Sequence, residues 1–171
     1  MNKLKDFEGF YLKTFSLEAS FEIQDSVFRL EYRLKGPLDQ LVIPAKGTAC
    51  SMRDELWKHT CFEAFLQDKK SPAYWEFNFS PSRDWAIYRF ERERQRVEVD
   101  ITGIELVIQQ ERYPGELIMK IDIRPAEAFN VGRVGLTTVL EHQDESRSYW
   151  ALTHTENKPD FHASESFIIN L

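Results

Sequence analysis

Alternation of polar and apolar residues is clearest in residues 56–90, which read LWKHTCFEAFLQDKKSPAYWEFNFSPSRDWAIYRF. Successive side chains of a β-strand point to opposite faces, so a period of two residues indicates a strand. In residues 60–66 this period predicts that Cys61, Glu63 and Phe65 share one face. The stretch therefore predicts a strand that carries a carboxylate among apolar neighbours.

A second strand is predicted at residues 74–80, where aromatic and polar side chains alternate, and the short charged segment before it is typical of a hairpin loop. If the two strands pair, Glu63, Glu76 and Asn78 line one shallow polar patch, which Trp57 edges. Buried polar groups need partners, and a ligand can supply them. Tryptophan stacks on the C–H face of a sugar ring, and carboxylates and amides bind its hydroxyls. The patch therefore indicates a site for a hydroxyl-rich ligand.

The period of two residues continues along the rest of the chain. Further strands are predicted at residues 28–35, 38–44, 85–90, 94–101, 104–109, 117–123, 134–141, 149–153 and 167–171. Only residues 125–129 are predicted to form a helical turn, because Pro125 suits the first position of a helix. About ten short strands separated by turns predict an all-β fold, an antiparallel β-sandwich or jelly roll. No linker divides the chain, so residues 1–171 are expected to form a single domain.

Composition excludes several classes of partner. The 171 residues carry a formal net charge of −6, whereas a surface for nucleic acid or anionic membrane needs a basic patch. No apolar run has the length of a signal peptide or of a membrane span. We therefore expect a cytoplasmic protein in which Cys50 and Cys61 are free thiols.

Four segments carry a resemblance to a known family. The chain resembles the DOMON-like domains related to family 9 carbohydrate-binding modules in WKHTCFE (57–63), YWEFNFSPS (74–82), WAIYRF (85–90) and YWALTHTENKPDFHASESFIINL (149–171). The similarity runs from about residue 53 to the end of the sequence given. It implies a β-sandwich that binds a small polar ligand, most simply a sugar or sugar derivative, without catalysis and without a cofactor.

The resemblance also implies roles for individual residues. In family 9 modules a tryptophan precedes a strand glutamate by six positions, as Trp57 precedes Glu63, and a second tryptophan, here Trp150, completes a sandwich around the sugar. A later strand carries a polar pair, here Glu76 and Asn78, although the modules have arginine at the first position. His154 is predicted to close the rim of the site. The calcium sites of those modules have no clear match.

Two other functions remain open at this stage. His154, Asp160 and His162 offer nitrogen and oxygen ligands for a divalent metal, or an acid and a base, and would make the chain a sugar-modifying or metal-dependent enzyme. The haem-binding members of the resembled family ligate iron through methionine and histidine. Met52 and Met119 are candidate methionine ligands, so a haem-binding module remains a further alternative, as does a protein-interaction module.

Each predicted site residue also has a structural interpretation. Trp57 and Trp150 would be core residues, as aromatic side chains in a sandwich usually are. Glu63 would be a buried acid paired with a basic side chain, and Asn78 would hold the turn after its strand. The candidates for the basic partner are Arg53, Arg83 and Lys158.

Overall fold

The computed structural model describes all residues from Met1 to Leu171 and contains thirteen β-strands, three short 3₁₀ turns and no α-helix. The strands are β1 (Asn2–Lys3), β2 (Lys5–Asp6), β3 (Ser16–Gln24), β4 (Val27–Lys35), β5 (Cys61–Asp68), β6 (Tyr74–Phe79), β7 (Trp85–Arg92), β8 (Gln95–Val97), β9 (Ile104–Tyr113), β10 (Glu116–Pro125), β11 (Val131–Glu141), β12 (Arg147–Ala151) and β13 (Ile169–Asn170). The 3₁₀ turns are Leu38–Gln40, Leu56–Lys58 and Ser164–Ser166. A helix of membrane-spanning length and hydrophobicity is absent.

Two antiparallel sheets form the fold. The smaller sheet has the order β1-β3-β4-β10-β9, and the larger has the order β2-β12-β11-β5-β6-β7-β8, with β13 against β11. Their facing sides enclose one core of 27 buried residues, in which Tyr32 of β4 packs against Phe62 of β5 with ring centroids 5.2 Å apart. The predicted antiparallel β-sandwich is therefore confirmed.

The larger sheet also buries part of its outer face. Phe62, Ala64 and Leu66 point into the core between the sheets, whereas Cys61 and Phe65 point outward into a second apolar cluster. This cluster comprises Leu56, Cys61, Phe65, Tyr74, Ala86, Tyr88, Phe90 and Phe167. The strand β5 is thus buried on both faces, and its outward polar residues lie in a half-covered surface instead of in open solvent.

Three local predictions are wrong or incomplete. Residues 38–44 do not form a strand, because Leu38 and Leu41 are both buried at a spacing of three residues, which suits a 3₁₀ turn. Residues 125–129 do not form a helical turn, because Pro125 ends β10 by pairing with Ile104. The strand β3 was not predicted, although its residues 17, 19, 21 and 23 are apolar with a period of two.

Candidate functional site

The polar patch lies on the outer face of the larger sheet, where strand register brings its members together. Glu63 of β5 lies directly opposite Asn78 of β6, and Phe65 lies opposite Glu76. On the other side of β5, Thr137 of β11 lies opposite Glu63. The structure thus places Glu63, Glu76 and Asn78 on one face, as the alternation predicts, but Asn78 is fully buried and does not line the cavity, so its predicted contact with a ligand is not supported.

The hydrogen bonds of this floor leave one polar atom without a partner. The Asn78 amide donates from Nδ2 to Oε1 of Glu76 at 2.7 Å, and the Thr137 hydroxyl donates to Oε2 of Glu63 at 3.2 Å. Oε1 of Glu63 is buried and has no partner, and the whole residue is only 2% exposed. A buried polar atom without a partner is costly, so this oxygen is a natural place for a ligand hydroxyl.

Burial changes the ionisation of both carboxyl groups. It raises the pKa of Glu63 well above its ordinary value, and the nearby Glu76 raises it further. Burial also raises the pKa of Glu76 to about 7, although the hydrogen bond from Asn78 opposes this shift. Burial therefore favours the protonated form of Glu63, which can donate a hydrogen bond, while Glu76 changes charge near pH 7.

Aromatic rings form the walls above this floor. The cavity has a volume of about 520 Å³, which lies in the usual range for small-molecule sites. Its lining residues are Trp57, Lys58, Glu63, Phe65, Glu76, Tyr88, Phe90, Arg94, Arg96, Val139, Arg147, Tyr149, Pro159, Phe161 and His162. A polar floor with aromatic walls can hold a ligand that has both hydroxyls and a C–H face.

Trp57 owes its position to the 3₁₀ turn that precedes β5. Glu55 has a positive φ of 62°, which turns the chain, and Leu56 is buried in the second apolar cluster. Trp57 then faces outward with 38% of its surface exposed, and its ring meets that of Tyr88 edge to face at 5.9 Å. Trp57 therefore lines the cavity with part of its surface exposed, and its stacking on a ligand stays a prediction.

The C-terminal segment forms the opposite wall through His162. The Tyr74 hydroxyl lies 2.7 Å from Nδ1 of His162 and accepts the Arg94 backbone N–H at 3.2 Å. Burial lowers the pKa of His162 to about 4, so the ring is neutral at pH 7, and its Nε2 lies 3.7 Å from Glu76. Between about pH 4 and 7 both His162 and Glu76 are uncharged, so their contact is not an ion pair there.

The structure corrects the role predicted for Trp150. Its side chain is 0% exposed and packs in the core between the sheets, where its indole donates to the Ser148 hydroxyl at 2.9 Å. A fully buried ring cannot stack on a ligand. Because strand neighbours point to opposite faces, the preceding residue, Tyr149, faces the cavity and meets Phe161 edge to face at 6.0 Å.

The predicted rim residue His154 also lies elsewhere. Its Nε2 is 2.8 Å from the Lys5 carbonyl oxygen and its ring packs against Phe7, so it does not line the cavity. Asp160 instead accepts a hydrogen bond from Arg94 at 2.8 Å, and His162 faces Glu76. Asp160 also accepts the His162 backbone N–H at 3.0 Å, whereas His154 lies apart from both, and no group of three acidic, histidine or cysteine side chains could hold a metal ion.

The structural interpretations of the polar residues do not hold either. Arg53 pairs with Asp84 at 2.9 Å and Arg83 donates to the Gly47 carbonyl oxygen, so neither neutralises Glu63. Lys158 is exposed and forms no ion pair with Glu63. Asn78 bonds Glu76 rather than the following turn.

Several lining residues were missed from the sequence. Tyr88 and Phe90 alternate on β7 and could have been found by extending the hairpin to a third strand. Arg94 lies in the tight turn before β8, where its positive φ of 56° reverses the chain, and Arg96 lies in β8 itself. No local pattern shows that this turn meets the C-terminal segment.

Comparisons with known proteins show the fold. No family model and no curated protein matches the chain. A Bacteroides uniformis ATCC 8492 protein, provisionally described as carbohydrate-binding, is similar over 97% of this chain and 84% of its own, with a TM-score of 0.65 and 15% identity. A family 9 carbohydrate-binding module from Caldicellulosiruptor kristjanssonii, solved with glucose, is similar over 81% of this chain and 66% of its own, with a TM-score of 0.47 and 10% identity.

Proposed function

We propose that the chain is a non-catalytic module that binds a small polar ligand, a sugar or sugar derivative, in the cavity on the outer face of the larger sheet. The observation that carries the proposal is the unpartnered Oε1 of Glu63, buried at the floor of a cavity with aromatic walls. A ligand hydroxyl at this position would give the buried carboxyl group the partner it lacks.

The chemistry of the surrounding residues supports this ligand class. Trp57 offers an accessible ring for the C–H face of a pyranose, and such stacking combines apolar burial with a favourable ring geometry. Protonated Glu63 can donate to a hydroxyl oxygen, while Glu76 stands beside it with Asn78. The site therefore offers both donors and acceptors, which a polyhydroxylated ring needs on one side.

The fold comparison is consistent with this proposal but is not its basis. The Bacteroides uniformis protein shares the sandwich and is provisionally described as carbohydrate-binding. We also propose that the chain is a DOMON-like domain, the family that its sequence resembles. Function in either case depends on the site, because one fold supports many functions.

Titration of the purified protein with a panel of neutral hexoses and disaccharides, followed by NMR chemical shifts, tests the proposal. We expect binding that weakens at least about tenfold in Trp57→Ala and in Glu63→Leu. Leucine keeps the approximate volume of Glu63 but removes its hydrogen-bonding group. Tyr113→Ala is the matched control, because Tyr113 is an exposed aromatic residue on the other sheet. Absence of binding by every sugar, or equal losses in all three variants, would contradict the proposal.

A further inference from the structure

The rim of the cavity has the opposite charge to the protein as a whole. The chain carries a net charge of −6, yet four basic side chains line the cavity. They are Lys58, Arg94, Arg96 and Arg147. The acids among the lining residues are Glu63 and Glu76, and both are buried at the floor. Positive charge is therefore concentrated where a ligand would enter.

Two of these four basic side chains are already neutralised. Lys58 pairs with Glu55 at 2.7 Å, and Arg94 pairs with Asp160 at 2.8 Å. Arg96 and Arg147 form no ion pair with any carboxylate of the chain. Their guanidinium groups therefore keep donors available for an anion that comes from outside.

Arg96 and Arg147 are each linked to Trp57 through one intervening residue, Tyr88 and Lys58 respectively. The guanidinium of Arg96 lies 4.2 Å from the centre of the Tyr88 ring, and that ring meets Trp57 edge to face. Arg147 donates from Nε to the backbone oxygen of Lys58, the next residue after Trp57, at 2.7 Å. A ring stacked on Trp57 would thus have the Arg96 guanidinium on its Tyr88 side and the Arg147 guanidinium on its Lys58 side.

The floor does not cancel this charge. Burial raises the pKa of Glu63 well above its ordinary value and so favours its neutral form, and the Glu76 pKa of about 7 leaves Glu76 only partly ionised at neutral pH. Asp54 does offset part of the Arg96 charge, because the Tyr88 hydrogen bond and the nearby Arg96 lower the pKa of Asp54. Two arginine charges on the rim therefore face one ionised Asp54 and a Glu76 that is only partly ionised, so the rim keeps an excess of positive charge.

We propose that the ligand is an acidic sugar, whose ring stacks on Trp57 and whose anionic group, a carboxylate or a phosphate, is bound by one of the two rim arginines that form no ion pair, Arg96 or Arg147. This inference rests on the proposed function and narrows its ligand class. A planar guanidinium forms paired hydrogen bonds with either anion, so the two sources share one recognition chemistry.

Matched pairs of ligands test the inference: glucose, galactose and mannose against the corresponding hexuronates and hexose 6-phosphates, with inorganic phosphate as a further probe. Affinities are measured by calorimetry at low and at high salt. We expect at least one acidic sugar to bind about tenfold more tightly than its neutral parent, with an advantage that shrinks as salt rises. In at least one of Arg96→Gln and Arg147→Gln the ratio of acidic to neutral affinity should fall toward one, and an unchanged ratio in both would overturn the inference. Arg112→Gln should leave it unchanged, because Arg112 is exposed on the other sheet and also forms no ion pair.

The possible results separate the two proposals. Equal affinity for neutral and acidic sugars would overturn the acidic-sugar inference and leave sugar binding intact. Inorganic phosphate that binds as tightly as every hexose 6-phosphate would also overturn it, because the ring would then contribute nothing. Absence of binding by any sugar would overturn the proposed function itself. A hexuronate preference without a phosphate preference, or the reverse, supports the inference and identifies the anion.

Discussion

Gly135 and Phe167 are in such close contact that a methyl group on Gly135 would lie 2.5 Å from Cδ1 of Phe167. Gly135 belongs to β11 and lies opposite Phe65 of β5. The Phe167 ring stacks on Phe65 with centroids 5.4 Å apart, and the residue is 1% exposed. Glycine at this position therefore allows the C-terminal segment to dock on the outer face, and the same segment supplies His162 to the cavity.

Replacement of Gly135 with alanine should therefore damage both stability and binding. We expect Gly135→Ala to lower the free energy of unfolding by about 1–3 kcal/mol, because the added methyl group forces Phe167 to move. Sugar affinity should fall as well, since His162 and Phe161 lie on the displaced segment. Denaturant unfolding and ligand titration measure the two effects.

Gly103→Ala is the control for this prediction. A methyl group at Gly103 would lie 3.5 Å from Cβ of Ala126, which is ordinary van der Waals contact. Its effect on stability should be small and its effect on sugar affinity absent. Equal stability of Gly135→Ala and Gly103→Ala would show that the contact between Gly135 and Phe167 is not needed for docking.

Two tryptophans that look alike in the sequence should respond differently to substitution. Trp150 is 0% exposed, so Trp150→Ala should cost about 3–5 kcal/mol of stability. Trp57 is 38% exposed and packs by one edge, so Trp57→Ala should cost much less while removing the ring that we propose stacks on the ligand. Melting temperatures of the two variants test this contrast. A large destabilisation by Trp57→Ala would instead identify Trp57 as a core residue.

The sequence predicts the floor of the site better than its rim. Glu63, Glu76 and Asn78 lie on adjacent strands of a tight hairpin, so alternation alone sets the face on which they lie. Trp150 was predicted as a stacking residue from the family resemblance alone. Alternation along β12 instead directs Tyr149 toward the cavity. Position in a motif does not determine the direction of a side chain.

The rim depends on contacts between segments far apart in the chain. Arg147 reaches the cavity through the Lys58 backbone oxygen, 89 residues away in sequence, and Tyr74 reaches His162 over 88 residues. A periodic pattern cannot predict contacts between residues so far apart in sequence. The ionisation of such residues also depends on their burial, which the sequence does not give. The sandwich could therefore be predicted from periodicity, whereas the electrostatics of the site could not.

Tyr74 holds the C-terminal wall by a hydroxyl group with two partners. Its oxygen bonds His162 at 2.7 Å and accepts the Arg94 N–H at 3.2 Å. Tyr74→Phe should cost about 1–3 kcal/mol, because the polar atoms of both partners lose a hydrogen bond in a buried setting. Tyr113→Phe is the control, since its exposed hydroxyl contacts only Glu111. If chemical denaturation gives the same midpoint for both variants, the Tyr74 hydroxyl does not hold this wall.

Glu76 should make the stability of the protein fall as pH rises. Its ordinary pKa is 4.5, and burial raises it to about 7 in the folded state. The folded protein therefore keeps a proton that the unfolded chain has already lost, so stability is lost as pH rises from about 4.5 to about 7. The loss is on the order of 3 kcal/mol when the pKa shift is converted to free energy.

Glu76→Gln should remove this loss, because an amide of the same shape cannot ionise and can still accept the Asn78 hydrogen bond. The stability difference, variant minus parent, should rise with pH up to about 7 and then level off. His162 has a lowered pKa, so its ionisation reduces the stability of the folded protein as pH falls. Both proteins contain His162, so the difference curve mainly reports Glu76. Denaturant unfolding across this pH range measures the curve, with Glu98→Gln as the control because Glu98 is exposed. A flat difference curve for Glu76→Gln would mean that Glu76 ionises equally easily in the folded and unfolded chain.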